Sequence, residues 1–580
     1  MNKAAIYHRP ESEFAYLYTK DLVHIRLKGA VNDIESAELF YGDPYNWISN
    51  YTAWGSQSIQ LEKLVSTIES DYFEAEVTVP TKRMDYLFVI TDKNGEKVVY
   101  NDLGIFPYEE DFVTKKYGAF RLPYFHETDR FKAPAWVKDT VWYQIFPERF
   151  ANGDPSLNRK DVKPWDPTES PERQDFYGGD LQGVIDHLDH LTDLGINGIY
   201  FTPVFKAFSN HKYDTEDYLE IDPDFGDKVV FKKLIDAAHE RGIKVMLDAV
   251  FNHIGDMSDE WQDVLKNQEK SKYADWFHVN QWPATYTKTD DFEVAENPTY
   301  DTFAFTPHMP KLNTANKEVQ EYLLKIAEYW IKEFDIDAWR LDVADEVDHA
   351  FWKKFRTTCD SAKNDFYILG EIWHSSQPWL AGDEFSAVMN YAYTESIKDG
   401  LIDRKISLEQ MVSNINNQLM LYRKQTNQVM FNVLDSHDTA RILTVAKNNK
   451  NLMKLVQAFT YLQPGVPCIY YGDEYALTGG MDPDCRKCMP WEPENQDENM
   501  YQFFKELVAF RRKYANVLSD SPLNWKIIDD KNGIVKFERG ELKAIFNIGE
   551  RAAYFVADDV IFSNLVDGKN VLQYGFVIYK

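Results

Sequence analysis

Short apolar segments alternate with amphipathic helical patterns from Thr140 onward, and this rhythm limits the fold more than any other feature of the 580 residues. Apolar residues repeat with the spacing of a buried helical stripe over 181–194 and over 319–334. Such alternation is typical of parallel strands that helices surround, so the sequence predicts an α/β protein with a (β/α)8 TIM barrel. The eight predicted strands are 141–146, 197–201, 244–250, 336–343, 366–371, 387–391, 429–435 and 468–471. A doubly wound open sheet is the alternative, but no Gly-x-Gly-x-x-Gly follows the first strand and no phosphate loop occurs.

The regions on either side of the barrel show a different pattern, in which apolar and polar residues alternate in short runs between turn residues. This pattern predicts an N-terminal β-sandwich over 1–125 and a C-terminal β-sandwich over 517–580. The barrel domain then spans 126–516. It includes an aromatic-rich segment, 254–317, that is too long for an ordinary loop after the third strand, so we expect an excursion domain over the barrel mouth.

The charge of the chain excludes several classes of partner. There are 64 Lys and Arg residues against 93 Asp and Glu residues, which gives a net charge of -29. Nucleic acids and anionic membranes are bound by basic surfaces, so neither is an expected partner. The first residues lack the apolar core of a secretory signal, and no stretch approaches the roughly 20 apolar residues that span a bilayer. We therefore expect a cytoplasmic protein.

The segment 337–347 reads Asp-Ala-Trp-Arg-Leu-Asp-Val-Ala-Asp-Glu-Val and places charged residues in a strand that should be buried. Residues two apart on a strand share a face, so Arg340 and Asp342 point in the same direction. A neighbouring guanidinium favours the ionised form of a carboxylate, and an ionised carboxylate at a strand end suits a covalent nucleophile in sugar chemistry. A structural ion pair is the alternative reading of this segment alone.

Polar residues also occur at the C-terminal ends of other predicted strands, where the active sites of barrels lie. Singly, each can be explained as a turn or capping residue. Together, a carboxylate at each of four strand ends, with two histidines and an arginine, predicts a catalytic site. The four groups are Asp248 with Asn252 and His253, Arg340 with Asp342, Glu371 with Trp373, and Asp435 with His437 and Asp438.

These four groups resemble, in order and spacing, the four signature regions of the α-amylase superfamily of retaining glycoside hydrolases. Three further segments are similar to those of its neopullulanase, cyclomaltodextrinase and maltogenic amylase group: 209–218, 309–313 and 482–486. The predicted N-terminal sandwich before the barrel is also typical of that group. The resemblance covers nearly the whole chain.

The resemblance implies a role for each of three carboxylates. Asp342 would be the nucleophile that forms a glycosyl-enzyme, and Glu371 would be the general acid that later activates water. Asp438 would hold the hydroxyls of the sugar and assist its distortion. This division requires Arg340 to keep Asp342 charged while Glu371 retains a proton near neutral pH. It also requires the two carboxyl groups to lie about 5 to 5.5 Å apart.

The resemblance also implies substrate-binding residues. Histidines and a tyrosine would contact the glucose unit in the cleaved subsite, a charged pair would border it, and two aromatic rings would lie on the leaving-group side; packing of either ring in the core is the alternative. The implied substrate-binding residues are Tyr213, His253, Arg340, His437, Asp482, Arg486, Trp373 and Phe303.

A calcium loop is a further implication, because oxygen-rich side chains after the first strand suit a hard cation. The implied ligands are Asn152, Asp154, Asn158, Gly178 and Asp180. The chain departs from the family pattern here, since Leu-Asn-Arg at 157–159 replaces the adjacent Asn and Asp of relatives. An occupied and an empty loop both stay open. No other cofactor is implied, and hydrolysis requires none.

The function implied is a retaining α-glucan hydrolase that cleaves α-1,4-glucosidic bonds of cyclodextrins, maltodextrins and pullulan, with some transglycosylation. An α-glucan transferase or a sucrose-acting relative is the alternative among enzymes. A non-catalytic barrel subunit is a remote one, because it would have lost a catalytic carboxylate. Relatives also imply a homodimer in which the N-terminal domain covers the partner's mouth, although the sequence itself is equally compatible with a polysaccharide-binding module on a monomer.

Overall fold

The structure is a computed structural model of the protein and describes residues 1–48, 50–557 and 559–580. Eight parallel strands form one sheet in the order 6-5-4-3-2-1-8-7, numbered along the chain. A parallel bridge between Met389 and Phe431 joins the sixth strand to the seventh, so the sheet closes on itself. The strands are Trp142–Ile145, Gly198–Phe201, Lys244–Ala249, Ala338–Leu341, Tyr367–Gly370, Ala387–Val388, Phe431–Asn432 and Val466–Tyr470. The predicted barrel is confirmed.

Helices surround these strands and bury one face against them. Helix Lys317–Phe334, for example, turns Leu323, Ile326 and Trp330 inward at the spacing that its sequence shows. The helices of this region are Pro147–Phe150, Leu181–Asp186, Leu188–Leu194, Lys228–Glu240, Asp259–Asn267, Lys317–Phe334, His349–Ala362, Tyr391–Leu401, Leu408–Met420, Lys424–Asn427, Ile442–Val445, Lys450–Tyr461, Glu498–Lys513 and Ala515–Asp520.

The sixth and seventh strands, predicted over 387–391 and 429–435, are only two residues long in the structure. Two further local features differ from the sequence prediction. The stripe at 181–194 is divided into two helices at His187, whose ring Nδ1 bonds the carbonyl of Gly183 at 2.8 Å while its backbone leaves helical geometry. The fourth strand ends at Leu341, before Asp342, and Val343 adopts a left-handed conformation with φ of 45°. Each of these two differences depends on the backbone conformation of one residue, which the spacing of apolar residues does not predict.

Two antiparallel sheets form the N-terminal sandwich, one of four strands and one of six, around their own apolar core. Their strands are Ala15–Leu17, Leu22–Ala30, Ile34–Gly42, Gln57–Gln60, Glu62–Ser66, Ser70–Thr78, Met84–Asp92, Lys97–Asn101, Gly104–Pro107 and Phe120–Leu122. Trp47–Ile48 pairs separately with Ala53–Trp54, and helix Glu110–Thr114 precedes the last strand.

The C-terminal unit is one six-stranded sheet, which packs against the barrel helices; Phe459 contacts Phe546 at a ring-centroid distance of 5.1 Å. Its strands are Leu523–Asp529, Ile534–Arg539, Leu542–Asn547, Ala553–Tyr554, Val560–Asp567 and Asn570–Tyr579. A barrel between two β units is thus confirmed, but the described strands of the C-terminal unit form a single sheet where the sequence predicts a sandwich. The limits assigned to the domains stay predictions.

Two hairpins stand at the barrel mouth. One, Phe205–Ala207 with Thr215–Ile221, follows the second strand, and the other, Thr287–Lys288 with Ala295–Glu296, belongs to the excursion segment. The excursion segment is tied to the third strand end, because the backbone N–H of Leu312 donates to the carbonyl of Asn252 at 2.9 Å. Among the described residues, no helix is both long and apolar enough to cross a membrane.

Candidate active site

A cavity of about 790 Å³ opens where the carboxyl ends of the barrel strands meet. The strand ends converge because all eight strands run in the same direction around a closed sheet. Its lining contains all three predicted catalytic residues and all but one of the predicted substrate-binding residues. They are Tyr213, His253, Phe303, Asp342, Glu371, Trp373, His437, Asp438, Asp482 and Arg486.

Arg340 is the exception, because its guanidinium is completely buried beneath the floor of the cavity. There it contacts three carboxylates. Nη1 lies 2.7 Å from Oδ1 of Asp342 and 3.0 Å from Oδ2 of Asp248, and Nη2 lies 2.8 Å from Oε2 of Glu371. The arginine therefore positions the acidic residues from below, where it has no surface to offer a substrate.

One guanidinium among three buried carboxylates cannot neutralise them all. Burial raises the pKa of Asp342 well above its ordinary value, against the opposing effect of Arg340, and burial likewise raises the pKa of Asp248 to about 6. Because the two carboxyl groups interact, their titration belongs to the cluster as a whole and not to either residue alone. The expectation that Asp342 is ionised while Glu371 is protonated stays a prediction.

Glu371 is held by donors on both of its oxygens. The indole N–H of Trp373 donates to Oε1 at 3.1 Å, and the backbone N–H of Val343 donates to Oε2 at 3.0 Å. Val343 reaches this position through its left-handed backbone, which is unfavourable for a β-branched residue and typical of strain kept at functional sites. The turn after Asp342 therefore also orients the carboxyl group of Glu371.

A hydrogen-bonded chain fixes the protonation of His437. The hydroxyl of Tyr213 donates to Oδ2 of Asp248 at 2.8 Å, which leaves its oxygen to accept from Nε2 of His437 at 2.6 Å. Nδ1 of His437 then accepts from Nε2 of Gln144 at 2.7 Å. Burial, with Arg486 and Arg340 nearby, lowers the pKa of His437 well below its ordinary value. The ring is neutral and carries its proton on Nε2.

Asp438 lies beside this chain and borders the last loop. Its carboxylate is 3.3 Å from Nε2 of His437 and 3.5 Å from Nη2 of Arg486. Nη1 of Arg486 in turn pairs with Asp482 at 2.9 Å. Burial raises the pKa of Asp438, and Arg486 opposes that shift. The three residues form the charged edge of the cavity.

Aromatic rings line the opposite side. Phe303 stacks on His253 with a centroid distance of 5.1 Å, and Trp373 lies parallel to Tyr391 at 3.7 Å. Burial lowers the pKa of His253 to about 3, so that ring is neutral. Trp373 presents an exposed face that can stack on a sugar, while Phe303 also braces the histidine.

The sequence analysis missed His211, which lies in the cavity lining two residues before Tyr213. Its Nδ1 faces the backbone N–H of Tyr213 at 3.1 Å and accepts from it, so a neutral ring carries its proton on Nε2. Burial lowers the pKa of His211 to about 3. The signal was present, since this histidine belongs to the segment 209–218 that carries part of the family resemblance.

The five residues of the predicted calcium loop lie together, but the loop is closed by its own hydrogen bonds. Oδ2 of Asp180 accepts the N–H of Asp154 at 2.7 Å and Oδ1 accepts the N–H of Gly183 at 2.6 Å, while Nδ2 of Asn152 donates to Oδ1 of Asn158 at 3.0 Å. Oδ1 of Asn152 is a buried oxygen with no hydrogen-bond partner in the described part of the chain. Hydrogen bonds therefore hold the loop together without an ion, and binding of calcium there stays a prediction.

A barrel whose mouth brings three carboxylates, Asp342, Glu371 and Asp438, together around one cavity has the arrangement expected of a glycoside hydrolase. Two family descriptions match the chain: "Alpha amylase, catalytic domain" over residues 144–506 and "Alpha amylase, N-terminal ig-like domain" over residues 1–126. The chain belongs to the α-amylase family.

Similar proteins identify the group within the family. The "Intracellular maltogenic amylase" of Bacillus subtilis (strain 168) is 50% identical over 539 residues, which are 93% of this chain and 89% of that protein. A "Cyclomaltodextrinase" of Geobacillus thermopakistaniensis (strain MAS1) is 50% identical over 514 residues, 89% of this chain and 85% of that one. A solved "Cyclomaltodextrinase" structure has a TM-score of 0.89, 41% identity and complete coverage of both chains. The predicted group, an enzyme of the cyclomaltodextrinase and maltogenic amylase type, is confirmed.

Proposed function

We propose that this protein hydrolyses α-1,4-glucosidic bonds of cyclodextrins, maltodextrins and pullulan with retention of the anomeric configuration. The observation that carries the proposal is the shared contact of Asp342 and Glu371 with one buried guanidinium. Both carboxyl groups thereby face the same cavity, as a double displacement requires. The high identity to a maltogenic amylase and to a cyclomaltodextrinase supports the substrate class.

The reaction proceeds in two displacements. Asp342 attacks the anomeric carbon, the bond to the glycosidic oxygen breaks, and Glu371 donates its proton to that leaving oxygen. Glu371 then takes a proton from water, the water oxygen attacks the same carbon, and the ester to Asp342 breaks. A sugar hydroxyl in place of water gives transglycosylation. Asp438 accepts hydrogen bonds from sugar hydroxyls during both steps, while His437, whose Nε2 proton is donated to the oxygen of Tyr213, borders the same subsite.

A time course on β-cyclodextrin, pullulan and soluble starch tests the proposal. We expect rapid attack on the cyclodextrin, slow attack on starch, and products that first appear as α-anomers by NMR. Glu371→Gln is the blank, and its kcat should fall by about 10²- to 10⁴-fold because it has no proton to donate. No release of reducing ends from any glucan would overturn the hydrolase. Attack on sucrose, or transfer products in excess of hydrolysis, would favour the alternative enzymes.

The proposal extends to a cytoplasmic homodimer. A relative named as intracellular supports the location. The N-terminal sandwich exposes Tyr45, Tyr51 and Tyr117, aromatic side chains of the kind that are enriched in protein interfaces. Sedimentation velocity over a range of protein concentrations tests the assembly; a monomer throughout would remove the dimer and leave the hydrolase intact.

A further inference from the structure

The excursion segment sends a hairpin tip to the catalytic cavity. The tip lies between strands Thr287–Lys288 and Ala295–Glu296, and its residues Phe292 and Glu293 belong to the cavity lining together with Asp342. Phe292 remains 48% exposed although it faces this cavity. The tip is therefore a wall of the active-site cavity that neither the reaction nor the predicted substrate contacts explain.

His308 fastens this tip to the barrel. Its ring stacks on Phe292 with a centroid distance of 3.9 Å and an interplanar angle of 15°. Nδ1 lies 2.6 Å from Oδ2 of Asp256, and Nε2 lies 3.2 Å from the backbone carbonyl of Phe292. Both partners are hydrogen-bond acceptors, so both ring nitrogens must donate and the ring is an imidazolium.

The charges around His308 agree with that state. Burial alone would lower the pKa of His308, but the hydrogen bond and charge of Asp256 outweigh it, with a smaller contribution from Glu293, and the pKa is raised. The other titratable side chain that faces the ring is Tyr286, 6.5 Å away between centroids. The cation keeps the tip against the loop that follows the third strand.

The hairpin tip carries two kinds of group that bind sugars. An aromatic ring presents a flat apolar face, and a carboxylate accepts hydrogen bonds from hydroxyls. Glu293 is anchored through Oε2, which accepts from the hydroxyl of Thr306 at 3.2 Å, and the backbone N–H of Ala295 donates to the carbonyl of Phe305 at 2.8 Å. Met257, exposed in the same cavity, adds apolar surface beside the ring.

We propose that Phe292, Glu293 and Met257 form an outer subsite that binds a glucose unit of the α-glucan remote from the cleaved bond, and that the Asp256–His308 ion pair keeps this subsite formed. The inference rests on the proposed function, since it concerns the same cavity and the same substrate. Its consequence is a preference for longer chains, because only a long substrate reaches both the cleaved subsite and the hairpin tip.

Steady-state kinetics on maltotriose and maltoheptaose test the subsite through Phe292→Ala. We expect the ratio of kcat/KM for maltoheptaose over maltotriose to fall about tenfold, mainly through KM, because the stacking face is lost. Phe305→Ala is the matched control, since this ring of the same segment is 76% exposed and lies outside the cavity lining. An unchanged ratio in Phe292→Ala, or an equal fall in both variants, would overturn the proposal.

The Asp256–His308 ion pair allows the proposal to be tested by varying the pH. A histidine whose pKa is raised stabilises the folded arrangement below its ordinary pKa, and that contribution is lost as the pH rises through the raised value. The KM for maltoheptaose should therefore rise with pH in the wild type. Asp256→Asn, which has no ion pair at any pH, should have a raised KM already at low pH and show a smaller rise. Identical pH profiles in the two proteins would contradict the role of the pair.

A binding measurement separates this inference from the proposed function. Calorimetric titration of Glu371→Gln with maltoheptaose requires no hydrolysis, and adding Phe292→Ala to that variant should weaken binding about tenfold. Equal binding with normal hydrolysis in the wild type would remove the subsite alone. Absence of glucan hydrolysis by the wild type would remove the proposed function.

Discussion

Nη2 of Arg340 lies 2.8 Å from Oε2 of Glu371, and Nη1 of the same guanidinium lies 2.7 Å from Oδ1 of Asp342. A single buried cation thus contacts both carboxyl groups to which the proposed double displacement assigns the chemistry. The two terminal nitrogens of a planar guanidinium approach these carboxylates in different directions, which is why arginine and not lysine suits this position.

Arg340→Lys should lower kcat/KM by at least about 100-fold, because a compact ammonium cannot contact three carboxylates at once. Arg340 lowers the pKa of Asp342 against the effect of burial. Its loss should therefore raise that pKa and move the acid limb of the pH–rate profile to higher pH. Asp248→Asn removes a competing carboxylate and should move the acid limb to lower pH. An acid limb that does not move in either variant would contradict this role of Arg340.

Tyr213→Phe keeps the ring and removes the hydroxyl that bridges Asp248 and His437. The proton on Nε2 of His437 then loses its acceptor at 2.6 Å and is left with the carboxylate of Asp438 at 3.3 Å. We expect kcat to fall by about 10-fold, because a buried hydrogen bond is lost and the ring is held less firmly. Tyr200→Phe is the comparison, since its hydroxyl also donates to Asp248, at 3.0 Å, but its ring lies outside the cavity lining. Equal kinetic losses in the two variants would mean that Asp248, and not His437, carries the effect.

Asp337→Asn should destabilise the barrel by about 2 kcal/mol, because it removes a buried carboxylate that pairs with two lysines and a histidine. Asp337 is 1% exposed and contacts His239, Lys244 and Lys363 at 2.8, 2.9 and 3.0 Å. Asp335→Asn, whose side chain is 65% exposed, is the control and should have little effect.

The same pair of variants gives a pH test of stability. Burial opposes ionisation of Asp337, but its histidine and lysine partners prevail and lower its pKa. A lowered pKa means that the stabilisation is complete above the ordinary Asp value of about 3.9 and is lost as the pH falls below it. The difference in unfolding temperature between the wild type and Asp337→Asn should shrink in acid, and a constant difference would contradict the assignment.

Chelation tests the loop after the first strand. Because Asp180 already accepts the backbone N–H groups of Gly153, Asp154 and Gly183, we expect EDTA to leave the unfolding temperature and the activity unchanged. Added calcium should likewise change neither quantity. A lower unfolding temperature in EDTA that calcium restores would show that Oδ1 of Asn152 has a cation as its partner.

Local pattern was enough for the barrel and for much of the site. The spacing of apolar residues predicts the strands and helices, because a helix that buries one face and a strand that is wholly buried each have a characteristic spacing. The carboxylates Asp342, Glu371 and Asp438 were predicted to meet because parallel strands in a barrel deliver their ends to one mouth. The assignment to a group of enzymes came from the resemblance of short segments to the α-amylase superfamily.

The sequence alone therefore determined the α/β barrel and the residues at the strand ends, because these depend on local spacing and on the parallel arrangement that spacing implies. The class of reaction came instead from the resemblance of short segments to a family. Only the tertiary structure decided that Arg340 lies below the cavity, that Val343 turns its N–H to Glu371, and that His308 pairs with Asp256, 52 residues away. The physical reason is that periodicity assigns a face to a side chain but not its partner. Partners depend on how distant segments pack and which buried polar groups must be satisfied.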